Sequence, residues 1–212
     1  MMTRHEFLAE LHRLLHPQHY LEIGVQTGAS LQLASCPSIG IDPAYDVKTP
    51  LGPHVTLKRQ TSDNYFTDHG PTTPVEDLVF IDGDHRFEQV LRDLMNVERY
   101  SATDTTLVVL DDVLPYSHAM AAREPCQGDW SGDAWKLWPI LVEYRPFLEL
   151  RLVDVTPAGL LLVRGLRRDC LTFDQYYDEI VAAFMDLEVP DSVLSREHAD
   201  QPAEVLEWVK IK

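Results

Sequence analysis

The chain has 212 residues and carries 34 acidic against 18 basic side chains, a formal net charge of −16. Recognition of polyanions depends on Lys and Arg neutralising phosphates, so this balance excludes nucleic acid from the expected partners. Length and a 45% hydrophobic content suit a single domain, residues 1–212, with a sizeable core, and no apolar run approaches the length of a membrane span.

From the N-terminus, Phe7, Leu8, Leu11, Leu14 and Leu15 recur at helical spacing, and Pro17 ends the helix begun near Arg4. This opening is amphipathic rather than a charged-then-apolar leader. The three cysteines, Cys36, Cys126 and Cys170, show no C-x-x-C spacing, so a reducing, cytoplasmic setting is expected. Tyr20–Ile23 reads as a buried strand, residues 28–34 as a helix, and residues 38–42 and 55–60 as further strands. Residues 77–82 and 105–111 are near-continuous apolar runs, the pattern of parallel strands covered on both faces, with Phe87–Tyr100 as a crossover helix between them. An irregular stretch, 115–132, precedes a helix over 134–144. Strands over 148–154 and Leu160–Arg164 then form a hairpin around a Pro-Ala-Gly turn, and residues 173–187 and 203–209 read as acidic amphipathic helices packed outside the sheet. From Asp169 onward there are 11 acidic and 3 basic residues, the mark of a solvated helical surface. His12 and His16 read as a surface pair on the first helix, and Trp135 and Trp138 as packing, with Trp130 in a segment suited to a lid.

Five βα-type strands closed by a C-terminal antiparallel hairpin, with helices on both faces, give an α/β, Rossmann-like sheet. This order resembles class I S-adenosylmethionine (SAM)-dependent methyltransferases rather than a doubly wound sheet with a sixth parallel strand. The segment Glu22-Ile-Gly-Val-Gln-Thr-Gly-Ala-Ser30 leaves a strand and turns at Gly24, as a ligand-binding loop does. Dinucleotide sites need glycine at the second position of G-x-G-x-x-G so that pyrophosphate can touch the backbone, and Gln26 stands there. Glu22, Gly24 and Gly28 instead resemble the E-x-G-x-x-x-G motif of SAM methyltransferases, which assigns them, with Ser30, to the methionine end of the cofactor. Asp42, 18 residues after Gly24, is placed to accept hydrogen bonds from ribose hydroxyls. Thr61-Ser-Asp-Asn-Tyr-Phe66 resembles a T-S-D-x-(F/Y)-F stretch of bacterial small-molecule O-methyltransferases, where Ser62 and Asp63 would border adenine.

Asp82-Gly-Asp-His85 and Asp111-Asp112 follow neighbouring strands, so their acids converge at the carboxyl edge of the sheet. Carboxylates that close raise one another's pKa unless a cation neutralises them, and a hard divalent ion such as Mg²⁺ takes oxygen ligands of this kind. The run D-L-V-F-I-D-G-D-H followed by R-D-L resembles the metal-dependent macrolide-sugar and cephamycin-pathway O-methyltransferases. That resemblance implies a metal on Asp82, Asp111 and Asp112, with Asp84 outside the ligand set and Asp82 also beside the cofactor. Catechol-type relatives carry a lysine near the first cluster, whereas this chain has His85, whose ordinary pKa near 6.5 suits a general base. The resulting expectation is a methyltransferase acting on a hydroxyl of a small molecule, a sugar or natural product. A metal-independent or N-methyltransferase and a non-catalytic SAM- or nucleotide-binding module are the alternatives. Oligomeric state is left open.

Overall fold

The computed structural model describes residues 1–125 and 127–211; Cys126 and Lys212 lie outside the described residues. Seven strands form one sheet in the order β3-β2-β1-β4-β5-β7-β6. These are β1 (Tyr20–Ile23), β2 (Ser38–Ile41), β3 (Val55–Lys58), β4 (Leu78–Ile81), β5 (Leu107–Asp111), β6 (Glu149–Val153) and β7 (Leu160–Arg164). The first five pair parallel, while β7 runs antiparallel between β5 and β6.

The period-2 alternation of strand side chains sorts the core into two layers. On one face, Leu21, Ile23, Val79, Ile81, Val108 and Leu110 meet α3 (Phe87–Tyr100), α4 (Leu137–Tyr144) and α5 (Thr172–Phe184). On the other, Tyr20, Leu78, Phe80, Leu107 and Val109 meet α1 (Arg4–Leu15) and α7 (Pro202–Lys210). The remaining helices are α2 (Ser62–His69) and the single turn α6 (Asp191–Leu194).

Helix α1 is fixed at both levels. Thr3 and Glu6 form a capping box, which satisfies otherwise orphaned N–H groups. Arg4 N donates to Thr156 O at 3.0 Å and Thr156 N to Met2 O at 3.1 Å, tying the start of α1 to the β6–β7 turn.

Two sequence expectations change. Residues 28–34 hold only a 3₁₀ turn over Leu31–Leu33, because Gly24, Gln26 and Gly28 all adopt positive φ and leave too little chain before Pro37 for a helix. The helix-dipole argument for that loop therefore weakens. His12 is buried rather than surface-paired: it lies edge-on to Tyr20, 4.7 Å between ring centroids, and burial pushes its pKa down to about 4. Trp135 is core, as expected. Among the described residues no helix is long and apolar enough to cross a membrane.

Candidate active site

Strands β2, β1, β4 and β5 lie side by side, and the loops leaving their carboxyl ends line one cavity of about 760 Å³. With neighbouring strands about 4.8 Å apart, Asp42 after β2 and Asp112 after β5 stand three steps, roughly 14 Å, apart along that edge.

The loop after β1 is held by close backbone approach. Gly24 has φ +92°, and a Cβ there would lie 1.8 Å from the Asp82 carbonyl oxygen. Gln26 takes φ +47°, and its N–H donates to Asp42 Oδ2 at 2.7 Å, while Ala44 N donates to Oδ1 at 2.6 Å. Asp42 thus organises the loop and still lines the cavity, since each carboxylate oxygen can accept more than one hydrogen bond.

Glu22 and Ser30 sit beneath this loop rather than in the cavity wall. Glu22 is fully buried and accepts from Tyr20 Oη at 2.6 Å and Ser30 Oγ at 2.8 Å. Burial pushes its pKa up to about 8 against those hydrogen bonds, so at neutral pH it is largely protonated. Its carboxyl oxygens thus face Tyr20 and Ser30 beneath the loop, not the cavity. Gly28, φ +80°, faces Thr49 and Val47, and it also serves the shape of the loop rather than its lining.

Ser62 begins α2 and donates to Asp93 Oδ1 at 2.5 Å; Gln89 Nε2 donates to the same oxygen at 3.0 Å. Asp93, almost fully buried, lines the cavity, and burial raises its pKa to about 7. Asp63 lies 3.5 Å from Arg92 Nε at the rim. Sequence reasoning assigned Asp93 no role. Its signal was present: Val90, Asp93, Leu94 and Val97 follow helical spacing, which puts one acid in an apolar stripe.

At the other end, His85 Nδ1 lies 3.1 Å from the Trp130 carbonyl, and the two rings stack at 4.8 Å. A carbonyl only accepts, so Nδ1 carries the proton and Nε2 faces the acids, 3.1 Å from Asp112 Oδ2 and 3.6 Å from Asp82 Oδ1. Asp112 Oδ2 is buried and accepts no hydrogen bond. Asp111 stands apart from this group: its Oδ1 accepts from Asp112 N at 2.8 Å and its Oδ2 from Arg4, whose guanidinium also reaches Asp82 Oδ2 at 3.2 Å. Arg4 carries no local sequence signal, because only the docking of α1 brings it here. Asp84 is half-exposed and paired with Arg86 at 3.3 Å.

Asp82, His85 and Asp112 each offer one ligand atom within 4.8 Å of the others. Three acceptors so close, one a buried orphan, need a positive charge among them. Either a proton on Nε2 or a cation meets that need, so the residues fit a divalent ion, with His85 in place of Asp111 in the ligand set. The free-base role of His85 changes with this geometry. Burial lowers its pKa, but Asp82 and Asp112 overcome that and raise it to about 9, so in the cation-free protein the ring is charged at neutral pH and has no lone pair to accept a proton.

A family model described as a methyltransferase domain matches residues 21–113, from β1 to just past β5. The comparison with curated proteins returns no match. Among solved structures the chain is similar to an O-methyltransferase of Bacillus cereus in complex with S-adenosylhomocysteine (SAH), at 13% identity and a TM-score of 0.57 over 76% of this chain and 80% of that one. It is also similar to the O-methyltransferase TomG of Streptomyces achromogenes, involved in tomaymycin synthesis and bound to SAM (16% identity, TM-score 0.56, covering 76% and 79%). An SAH-bound methyltransferase of Podospora anserina aligns at 15% identity and a TM-score of 0.58, over 78% of this chain and 80% of that one. The sheet order is that of these methyltransferase structures, and residues 21–113, which carry the loops lining most of the cavity, match the methyltransferase-domain model.

Proposed function

We propose that this chain transfers the methyl group of SAM to a hydroxyl of a small molecule, a sugar or natural product, with the acidic edge Asp82–His85–Asp112 holding a divalent cation such as Mg²⁺. The observation that carries the reading is the single cavity joining the ribose acid Asp42 and the Ser62–Asp93 pair to that edge, beneath Trp130. In-line transfer at a sulfonium carbon needs the nucleophile held behind the methyl, and one cavity spanning both subsites supplies that alignment.

On this reading Asp42 binds the ribose, Ser62 and Asp63 border the adenine, and Gly24 lets the methionine end approach the backbone. Glu22, Ser30 and Gly28 shape that loop. A divalent ion bound by Asp82, His85 and Asp112 would supply positive charge that acidifies and orients an acceptor hydroxyl. Met120, Trp130 and Pro157 form the wall beside that edge and would set acceptor fit. Free thiols at Cys36 and Cys170 accord with the cytoplasm, and an acidic chain of this charge has no use for nucleic acid as acceptor.

One observation favours a metal-independent second reading: Arg4 and a protonated His85 together place two positive charges among the three acids without any ion. A single assay separates the two. Purified protein with labelled SAM is offered a panel of hydroxylated and amine acceptors, with and without chelator. Loss of hydroxyl methylation on chelation, restored by Mg²⁺, supports the metal reading; retained methylation supports the second. Calorimetry with SAH and NAD tests the cofactor itself, and failure of SAH to bind, or equal binding of NAD, overturns the proposal.

A further inference from the structure

We infer that Arg4 is an internal cation that sets the affinity of the acidic edge for divalent ions, by keeping Asp111 out of the ligand set. The inference rests on the cation reading of Asp82, His85 and Asp112 and deepens it.

Three carboxylates meet at this edge, yet they are not equivalent. Arg4 engages Asp111 Oδ2 and, at 3.2 Å, Asp82 Oδ2. Asp111 Oδ1 is taken by Asp112 N at 2.8 Å, so both oxygens of Asp111 are committed and its side chain is only 1% exposed. What remains open is one oxygen of Asp82, Nε2 of His85 and the orphan Oδ2 of Asp112. The guanidinium thereby divides six carboxylate oxygens into a closed set and an open set.

Its position is built into the fold. The capping box, the exchange of backbone hydrogen bonds with Thr156, and the burial of Phe7, Leu8 and Leu11 hold the first turn of α1 at the carboxyl edge of the sheet. Arg remains charged at every ordinary pH, so it subtracts a full unit of negative charge from the site. Hard cations bind more tightly as anionic ligands are added, and removing Arg4 would both restore that charge and release Asp111 Oδ2. A mobile or surface arginine would do neither.

Mn²⁺ binding, read from the loss of the free-ion electron paramagnetic resonance signal, tests this on the full chain. Arg4→Met keeps the side-chain length without the charge and should bind Mn²⁺ at least tenfold more tightly than wild type. Asp111→Asn alone leaves the Arg4 charge facing only Asp82 and should weaken binding, whereas Arg4→Met/Asp111→Asn restores the wild-type net charge and should lose most of the gain. Arg4→Lys, which keeps the charge but not the planar fork, should fall between and serves as the probe if Arg4→Met does not fold. Unchanged or weaker binding in Arg4→Met, or a gain that persists in the double variant, overturns the inference while leaving the cation reading in place. Calorimetry with SAH on the same samples separates the two levels: absence of Mn²⁺ binding in every variant that still binds SAH overturns both the inference and the cation reading, and leaves the methyltransferase reading standing.

Discussion

Replacing Gly24 by alanine probes the contact on which the cavity floor depends. Gly24 has φ +92° and its missing Cβ would sit 1.8 Å from the Asp82 carbonyl oxygen, a backbone atom just past the end of β4 whose residue is tied to β1 by Asp82 N donating to Ile23 O at 2.8 Å. The left-handed backbone costs an L-residue roughly 1–2 kcal/mol, and overpacking against atoms that cannot rotate away adds about 1–3 kcal/mol. The sum, about 2–5 kcal/mol, corresponds to a fall in melting temperature of roughly 4–20 °C for a domain of this size. Gly128 is the internal control: φ is +96° but nothing lies within 4 Å of its would-be Cβ, so Gly128→Ala should cost only the backbone term. Thermal melts of both variants, with SAH titrated calorimetrically into each, give the comparison. Equal losses in the two, or a Gly24→Ala variant within about 0.5 kcal/mol of wild type on the surface-substitution scale, would refute the close-approach argument.

Asp42→Ala should weaken SAH binding by about 1.5–3 kcal/mol, the worth of charge-assisted hydrogen bonds; isothermal titration measures it, and unchanged affinity removes Asp42 from the ribose site. In cation-free protein the His85 ring should titrate near pH 9 by NMR, because Asp82 and Asp112 outweigh burial. A histidine raised in the folded state stabilises fully below its ordinary 6.5 and loses that contribution as pH rises through about 9, so a His85→Ala variant should show a flatter stability profile across that window. Because His85 is read as a ligand of the ion, the same variant should lose Mn²⁺ binding with SAH affinity nearly intact. Glu76 is 1% exposed, neither oxygen has a hydrogen-bond partner, and burial pushes its pKa up to about 8. It is neutral in the fold but ionised in the unfolded chain above about pH 4.5, so stability should fall between those values, and Glu76→Gln should remove the slope and gain on the order of 3 kcal/mol at pH 7. Chemical denaturation at several pH values decides it.

The sheet was legible because its signal is local. Four- to six-residue apolar runs bounded by Gly, Pro and Asp admit few other readings, and the antiparallel hairpin distinguished this sheet from dinucleotide-binding ones. The loop residues were legible as a set but not by role. Nothing in the spacing of Glu22 and Ser30 tells that they face each other under the loop at 2.8 Å rather than a ligand above it. Arg4 was invisible for a different reason. It lies 78 residues before Asp82, and only the packing of α1 on the far side of the sheet brings the two together. Likewise His85 offered itself as a base from its ordinary pKa, whereas the Trp130 carbonyl, 45 positions away, fixes which nitrogen is free.

The dipeptide Asp111-Asp112 shows how one backbone angle assigns two chemically identical side chains to different work. In a continuing strand adjacent residues point to opposite faces, and a second acid would be sent away from the cavity. Asp112 instead has φ +66°, in the left-handed region that Asp and Asn tolerate better than other non-glycine residues. The strand ends there, Asp111 accepts the Asp112 N–H, and Asp112 Oδ2 is presented to His85. Shape and charge can therefore be separated at this position. Asp112→Asn keeps the left-handed preference and removes a carboxylate whose pKa burial and Asp111 hold well above the usual range, so the folded state loses a disfavoured charge and should melt no lower than wild type. It should also lose Mn²⁺ binding. Asp112→Val removes the same charge but places a β-branched side chain at positive φ, and should lose both the ion and roughly 1–2 kcal/mol or more of stability. If Asp112→Asn melts as low as Asp112→Val, the backbone turn is not what places this acid; if it binds Mn²⁺ as wild type does, Asp112 is not a ligand.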